Sequence, residues 1–368
     1  MPPPPQKREH GFRDAVLGSL IAEVIVNMGR MRAFGIVAPF TARQFDEADP
    51  LARARQIGID YVVVTRVLGD RLAFSLIETY TEAILLADHL PLGRHLERSA
   101  EELALALAAQ MARSEMLHYR RTGSASAYVH YLLGTERLAY DLQSIRKARQ
   151  HFQKTTSLAP EFAPALSLIA RSYSYEWLVL GRNDQEPLST ALALSQQSVE
   201  MDPLGALGHW ELGHANLYLR RFDEALESIQ RATQRAPHLA DLLADEADIL
   251  VHMDRSPEAI SKIEQALTLN PLAPDEYRWV KGSALFDLED YVGAFNVLGA
   301  MRDTEPVARL LAASAAMIGD MESAATYRKS WLSRYPDFKV TDWAKLIPMK
   351  SASFRERISY ALTLAGFS

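Results

Sequence analysis

The sequence predicts a mainly α-helical protein, in which a small α/β domain is followed by an α-helical solenoid. Three observations predict this fold class. Short apolar segments with β-branched or alternating residues lie between helix-like segments in residues 12–120. Prolines recur at nearly regular intervals through residues 160–336. Small residues recur in one phase between those prolines, which is typical of stacked helical repeats.

The composition excludes several classes of protein. The 368 residues include 48% hydrophobic and 23% charged residues, as in ordinary globular proteins. The chain has no cysteine, which excludes disulfides, thiolate metal sites and a cysteine nucleophile, and we expect a cytoplasmic protein. The net charge is −6, and residues 1–122 carry 15 basic and 15 acidic residues, so the acidic excess lies after them. This charge favours neither a nucleic-acid nor an anionic-membrane surface.

The first elements are a leader and an amphipathic helix. Residues 1–11 contain Pro2-Pro3-Pro4-Pro5, which is typical of a flexible leader. Apolar residues at helical spacing then predict a helix over 12–30 with one buried face. Glu23 interrupts its apolar stretch, which is too short to cross a bilayer, so we expect no membrane segment.

The rest of residues 12–122 predicts the small α/β domain. The expected order after the first helix is a strand over 32–38, a short helix over 51–57 ending at Gly58, strands over 59–67, 71–79 and 84–90, and a long helix over 98–120. The second and third strands are expected to pair antiparallel across the turn Gly69-Asp70. The apolar runs of the first and second strands, Phe34–Pro39 and Tyr61–Val64, are expected to lie in the core of the sheet.

Residues 123–338 predict about six helix pairs. The helix-terminating prolines are Pro160, Pro203, Pro237, Pro271, Pro306 and Pro336, with spacings of 43, 34, 34, 35 and 30. A period of 34 residues is that of the tetratricopeptide repeat, TPR. Counting Pro237 as position 32 places Gly213, Ala225 and Ala232 at positions 8, 20 and 27, where paired helices approach closely. Residues 339–368 are expected to form a capping helix and a tail.

One face of the first helices predicts a binding groove. Positions 2, 5, 6, 9, 12 and 13 line the concave side of such repeats, and helical spacing places them on one face. The candidate partner-binding residues at these positions are Trp210, Glu211, His214, Tyr218, Asp241, Asp245, Asp248, His252 and Trp279. Aromatic and acidic side chains suit a cationic ligand or a basic peptide. A solvated helix face, with tryptophans that only complete the packing, is the alternative.

No motif predicts an enzyme. The chain has no phosphate loop, dinucleotide fingerprint, GxSxG or HExxH sequence. We therefore expect no cofactor, no metal and no catalytic residue, although Asp245, Asp248 and His252 have chemistry that suits a metal ion. Arg113, Arg120 and Arg121 are too sparse for a nucleic-acid surface. The expected partner is a protein or peptide of basic character or a small effector, and the sequence also allows a homo-oligomer.

The first domain resembles a known family. The segments "LGSLIAEVIVNMGRMRAFGIVAP" and "ARQIGIDYVVVTRVLGDRLAFSLIETYTEAILLADHLPL" resemble the TolB-amino-terminal-like α/β domain of bacterial signalling proteins. In that family the domain precedes TPR repeats and follows a winged-helix DNA-binding domain or a class III adenylate cyclase domain. The resemblance implies the sensing and protein-interaction region of a transcriptional regulator, which would hold a partner or small effector on the α/β domain or in the concave groove of the solenoid. The alternatives are a free-standing TPR adaptor and the regulatory part of such a cyclase.

Overall fold

The computed structural model describes residues 17–29, 36, 50–91, 96–180, 184–237 and 239–368. The leader over 1–11 and the strand predicted over 32–38, apart from Ile36, lie outside these residues. The chain contacts define two compact units. One contains Met1–Glu136 and Lys154–Pro160, and the other contains Arg137–Gln153 and Glu161–Ser368.

The first unit contains a three-stranded antiparallel sheet and helices. In chain order its described elements are helix α1 over residues 17–29, helix α2 (Pro50–Gln56), strands β1 (Tyr61–Leu68), β2 (Arg71–Glu78) and β3 (Ile84–Pro91), and helices α3 (Leu96–Thr122) and α4 (Ala127–Arg137). The strands lie in the order β1-β2-β3, with Leu68 opposite Arg71 across the two-residue turn. Gly69 in that turn has a φ of 64°, which glycine adopts at little cost. The predicted hairpin is confirmed.

Helices α1 and α3 cover one face of this sheet. The alternating residues of β2, Leu72, Phe74 and Leu76, are buried. Leu20 of α1 packs with Leu72, and Leu107 of α3 packs with Phe74 and Leu76. Every second side chain of the central strand thus packs against the apolar faces of two helices. The sequence predicted such a buried apolar face for the first helix.

The prediction that Tyr61–Val64 lie in the sheet core is wrong for part of the run. Tyr61 packs against the core and its hydroxyl donates a hydrogen bond to Glu115 at 2.9 Å, but Val63 is exposed and Val64 is 44% exposed. In the described sheet β1 pairs only with β2, so its side chains have strand neighbours on one side. Fewer side chains are therefore buried in this edge strand than in the central strand β2.

The second unit is helical. Its helices are α5 (Leu142–Leu158, which this unit shares with the first), α6 (Ala163–Val179), α7 (Glu186–Met201), α8 (Ala206–Tyr218), α9 (Phe222–Arg235), α10 (Ala240–His252), α11 (Ser256–Leu269), α12 (Asp275–Asp287), α13 (Tyr291–Gly299), α14 (Ala308–Met317), α15 (Met321–Arg334), α16 (Val340–Leu346) and α17 (Ala352–Leu364). From α6 to α15, consecutive helices pack against each other as pairs that stack along the chain. The described part of residues 127–335 contains no strand, which confirms the predicted fold class.

Small residues allow the paired helices to approach closely. A Cβ at Gly213 of α8 would lie 3.4 Å from the Ala225 carbonyl oxygen and 3.5 Å from the Ile229 Cβ, both on α9. Ala225 and Ala232 are fully buried. Positions 8, 20 and 27 of the repeat therefore form the contacts that the sequence predicted.

The turns between the two helices of a repeat share a backbone conformation. Arg220, Asp254, Glu289 and Gly319 follow the first helices of four successive repeats, and all have φ between 59° and 83°. Glycine favours this left-handed region, so the three other residues adopt it at some cost in free energy.

The C-terminal helices complete the last repeats. Phe354, Ile358 and Leu362 of α17 are buried in the same apolar cluster as Ala312 of α14 and Phe286 of α12. The backbone N–H of Val340 donates a hydrogen bond to the carbonyl oxygen of Ser368 at 2.8 Å, which joins the start of α16 to the chain end. Helix α17 occupies the residues that were predicted to form the cap.

Candidate functional site

The candidate site lies on the first helices of three consecutive repeats. Arg171 comes from α6, Trp210, Glu211 and His214 come from α8, and Asp245 comes from α10. His214 lies four residues after Trp210 and three residues after Glu211, so it shares a helix face with both. Stacking of the repeats then brings the same face of α6 and α10 beside it. We call these five residues the groove cluster.

Arg171 forms an ion pair with the buried Glu211 at one side of the groove cluster. Arg171 Nε donates to Glu211 Oε1 at 2.8 Å, and a second guanidinium nitrogen contacts the same oxygen. The Glu211 side chain is 1% exposed. Burial alone would raise the pKa of this carboxyl, but Arg171 and His214 outweigh burial and hold the pKa below its usual range. The Arg171 guanidinium also lies 4.5 Å from the Trp210 ring centroid, in cation–π contact.

His214 lies between two carboxylates. Its Nε2 is 3.0 Å from Asp245 Oδ2, and its Nδ1 is 3.8 Å from Glu211 Oε2. Burial alone would lower the pKa of His214, but Asp245 and Glu211 outweigh burial and raise it to about 10. The imidazole is therefore a cation at neutral pH, with both nitrogens protonated.

Asp245 joins α8 to α10 through two donors. The Trp210 Nε1–H donates to Asp245 Oδ2 at 2.5 Å, and His214 approaches the same oxygen. Burial would raise the pKa of Asp245, but His214 and Trp210 reverse this and lower it. The carboxylates of Glu211 and Asp245 are therefore both neutralised by partners within the chain.

Asp248, one turn beyond Asp245 on α10, is neutralised less completely. Its Oδ2 is 3.7 Å from His252 Nε2, and its side chain is 38% exposed. Burial, together with the negative charge of Asp245, raises its pKa, and His252 and His214 oppose this only in part. Asp248 is thus the carboxylate beside the groove cluster that would gain most from an added cation.

Aromatic rings adjoin the groove cluster. The His214 imidazole stacks on the Tyr218 ring with centroids 6.2 Å apart, and the Trp177 ring lies 5.3 Å from the Tyr218 ring. Tyr140 stacks on Tyr175 at 4.4 Å. Apolar surface therefore lies next to the charged groups, as a peptide-binding surface requires.

The structure distributes the nine predicted groove residues unevenly. Trp210, Glu211, His214 and Asp245 form one network with Tyr218 beside it, and Asp248 and His252 form an adjoining pair. Asp241 instead accepts a hydrogen bond from the Tyr277 hydroxyl at 2.6 Å. Trp279, on α12, is 38% exposed, and the described contacts do not join it to this network.

Arg171 and Tyr175 are two site residues that were not among the predicted groove residues. Ala170 occupies position 8 of its repeat, so Arg171 and Tyr175 fall at positions 9 and 13, which are the positions of His214 and Tyr218 in the next repeat. Extending the groove count to that earlier repeat would have found both residues. Arg171 also changes the charge of the groove, because the predicted acidic wall contains a partly buried cation that neutralises Glu211.

A second polar cleft lies between α5 and α6. Arg146 and Arg149 both pair with Glu176, and the Arg149 guanidinium lies 3.7 Å from the Tyr173 ring centroid. In the described part of the chain no group of three His, Asp or Glu side chains is placed to hold a metal ion. None of the described helices is long and apolar enough to cross a membrane.

Comparison with known proteins supports the fold. No family model matches the chain, and no curated protein matches it. A solved structure of the APC/C hetero-tetramer Cut9-Hcn1 shares 16% identity and a TM-score of 0.51, over 71% of this chain and 48% of that chain. A thermophilic TPR protein of Thermus thermophilus shares 19% identity over 65% of this chain and all of its own, with a TM-score of 0.36. Pseudomonas aeruginosa pilF shares 17% identity over 60% of this chain and 95% of its own, with a TM-score of 0.42. At these identities the likeness concerns the fold alone. This chain has a small three-stranded antiparallel sheet followed by a long run of helices, and its structural neighbours are TPR proteins.

Proposed function

We propose that this chain is a TPR-type adaptor that holds an extended segment of a partner protein along the first helices of its repeats. The observation that carries the proposal is the groove cluster. Its five residues come from equivalent faces of α6, α8 and α10, so a bound segment would meet one continuous surface across three repeats.

The charge at Asp248 supports a partner with a cationic side chain. Glu211 and Asp245 have close cationic partners within the chain, whereas Asp248, 3.7 Å from His252, lies partly exposed beside Asp245 with a raised pKa. A lysine or arginine from the partner would offset this repulsion, and Tyr218 would supply apolar contact. This is a narrower form of the basic partner that the sequence predicts.

The adaptor function is favoured over the two signalling functions. The repeats themselves support an adaptor, whereas a transcriptional regulator or a class III adenylate cyclase depends on the resemblance of residues 12–120 alone. The reading frame upstream of Met1 tests this choice. A helix-turn-helix or cyclase sequence there would favour the regulatory function.

The adaptor proposal is tested by selecting displayed peptides on the immobilised full chain. We expect the enriched peptides to contain lysine or arginine. Their dissociation constants should rise at least tenfold for Asp248→Lys, because the substitution places a cation where the partner's cation would bind. Glu227→Lys is the matched control, since it makes the same charge change at an exposed position on α9.

Circular dichroism establishes that both variants are folded. Selected peptides that bind Asp248→Lys as tightly as the unchanged chain would contradict the proposed groove. A selection that enriches no peptide would contradict the adaptor function itself.

A further inference from the structure

The end of α16 and the chain between α16 and α17 contact earlier repeats as well as the last one. Residues 345–351, called here the returning segment, lie against repeats that precede them by about 100 residues in the sequence. The Arg220 guanidinium, in the turn between α8 and α9, donates to the carbonyl oxygens of Lys345 and of Ile347, the latter at 3.2 Å. The N–H of Lys350 donates to the His252 carbonyl oxygen at 2.9 Å. Lys345 lies in the last turn of α16 and Ile347 is the residue that ends this helix, so both carbonyl groups belong to the helix end. All three bonds are made to the backbone of the returning segment and do not depend on its side chains.

Side chains of the returning segment fill an apolar site. Ile347 and Met349 are buried in the cluster that contains Phe286 and Phe354. Met349 Sδ also lies 2.9 Å from His252 Nδ1. At the far end, Lys350 Nζ pairs with Asp223 at 3.0 Å. Two apolar side chains around a proline, followed by a cation, therefore match this surface.

Arg220 has a backbone conformation that glycine adopts at a lower cost in free energy. Its φ is 59°, and the equivalent residue of a later repeat is Gly319. A left-handed backbone conformation is less favourable for a residue with a side chain than for glycine. This cost is offset here by a guanidinium that binds two carbonyl groups of the returning segment.

We propose that this surface is a peptide-binding site that the chain's own returning segment occupies in this structure. The ligand is a peptide of a partner protein with the same chemistry, in which two apolar residues flank a proline and a lysine or arginine follows. The site is formed by Arg220, Asp223, His252 and the apolar cluster around Ile347 and Met349, and it contains none of the five residues of the groove cluster. His252 also pairs with Asp248, so the site is tested separately from the proposed adaptor groove by substitutions at Arg220, which leave that pair unchanged.

Tethering explains why a partner would have to compete. A segment attached by a short linker has an effective concentration in the millimolar range. A free peptide at micromolar concentration would then be excluded from the intact chain. Weakening the hold of the returning segment should open the site.

The first experiment uses a fluorescein-labelled peptide of residues 342–352 and the full chain. The released variant is Ile347→Ser/Met349→Ser, which vacates the apolar site and leaves Arg220 in place. By fluorescence anisotropy we expect the released variant to bind the peptide at least tenfold more tightly than the unchanged chain does. Adding Arg220→Gly should weaken that binding at least fivefold, whereas adding Asp254→Gly should not. The two glycine changes relieve the same backbone conformation, so only the loss of the guanidinium differs.

The second experiment needs no peptide and covers the case in which the released variant does not fold. Trypsin can cut after Lys345 and Lys350, which are both exposed. Because Arg220 holds the backbone between them, Arg220→Gly in the otherwise unchanged chain should raise the cleavage rate at these sites at least fivefold relative to Asp254→Gly. Equal cleavage rates in these two variants would overturn the proposal. Equal peptide binding by a folded released variant and the unchanged chain would also overturn it.

Discussion

At the scale of single residues, His214 has the most distinctive surroundings of the groove cluster. Its two ring nitrogens face Asp245 and Glu211, and Arg171 holds the second of these carboxylates from the other side. Charges of alternating sign thus run across three helices. Each charged group is stabilised by the next, and removing one leaves its neighbour buried with less compensation.

The raised pKa of His214 predicts how stability depends on pH. In the unfolded chain this group titrates near its ordinary value of about 6.5. In the folded chain it titrates near pH 10. Its contribution to the free energy of unfolding is therefore complete below about pH 6.5 and is lost as the pH rises towards 10, by at most about 1.4 kcal/mol per pH unit. Urea unfolding at pH 6.5, 8.0 and 9.5 measures this loss.

His214→Gln is expected to flatten this pH dependence. Glutamine retains hydrogen bonding but has no proton to lose in this range. His118→Gln, at an exposed position on α3, is the matched control and should follow the unchanged chain. If His214→Gln lost stability between pH 6.5 and 9.5 as steeply as the unchanged chain, His214 would not carry the dependence.

The sequence predicted part of the groove cluster because repeat position determines which face a side chain occupies. Trp210, Glu211, His214 and Asp245 were found in this way. Their mutual pairing could not be predicted, because it depends on the distance between the first helices of neighbouring repeats. Repeat position alone does not identify the partner of a side chain. Asp241 occupies a groove position, but it accepts a hydrogen bond from the Tyr277 hydroxyl and does not join the cluster.

At the scale of helices and strands, Gly282 allows the two helices of one repeat, α12 and α13, to approach each other closely. A Cβ at Gly282 of α12 would lie 2.5 Å from Leu298 Cδ2 and from Leu298 Cγ on α13. Leu298 is fully buried, so its side chain has little room to move. Any larger residue at position 282 would have to push the two helices apart.

Gly282→Ala is expected to lower the free energy of unfolding by about 1–3 kcal/mol through overpacking. Gly299→Ala is the control, because a Cβ at that helical position would meet no atom within 4 Å. The control should be neutral or stabilising by up to about 1 kcal/mol, the helix propensity of alanine over glycine. Thermal and urea unfolding compare the two variants. Equal effects at the two positions would contradict the packing described for α12 and α13.

The strands show where sequence patterns are less informative. The β-branched run Tyr61–Val64 predicts a strand, and a strand forms there, but the run does not say whether that strand is central or at an edge. The alternation of Leu72, Phe74 and Leu76 identified the covered face correctly. Burial of β1 depended instead on strand order, which sequence spacing leaves open.

At the scale of the whole molecule, the helical unit contains two large apolar clusters. One joins the repeats from Leu217 to Ala284, and the other joins those from Phe286 to Phe367. The second cluster depends on α17, which lies after the last repeat. The C-terminal helices are therefore part of the core of the final repeats.

Ile358→Ala is expected to lower the free energy of unfolding by about 2–4 kcal/mol, because Ile358 is buried in the second cluster. Tyr360→Ala lies on the exposed side of the same helix and should change it by less than about 0.5 kcal/mol. Urea unfolding monitored by circular dichroism measures both effects. Similar losses for the two variants would show that α17 does not pack as described.

The bonds from Arg220 to Lys345 and Ile347 join positions 125 and 127 residues apart. In a linear array of repeats, each repeat interacts only with its neighbours, and the ends fray first. The returning segment joins the end of this array to the repeat that contains Arg220. The last repeats therefore cannot fray before the bonds from Arg220 break. Amide hydrogens of α14 and α15 should therefore exchange with solvent at rates close to those of α10, without the gradient that an open array would give.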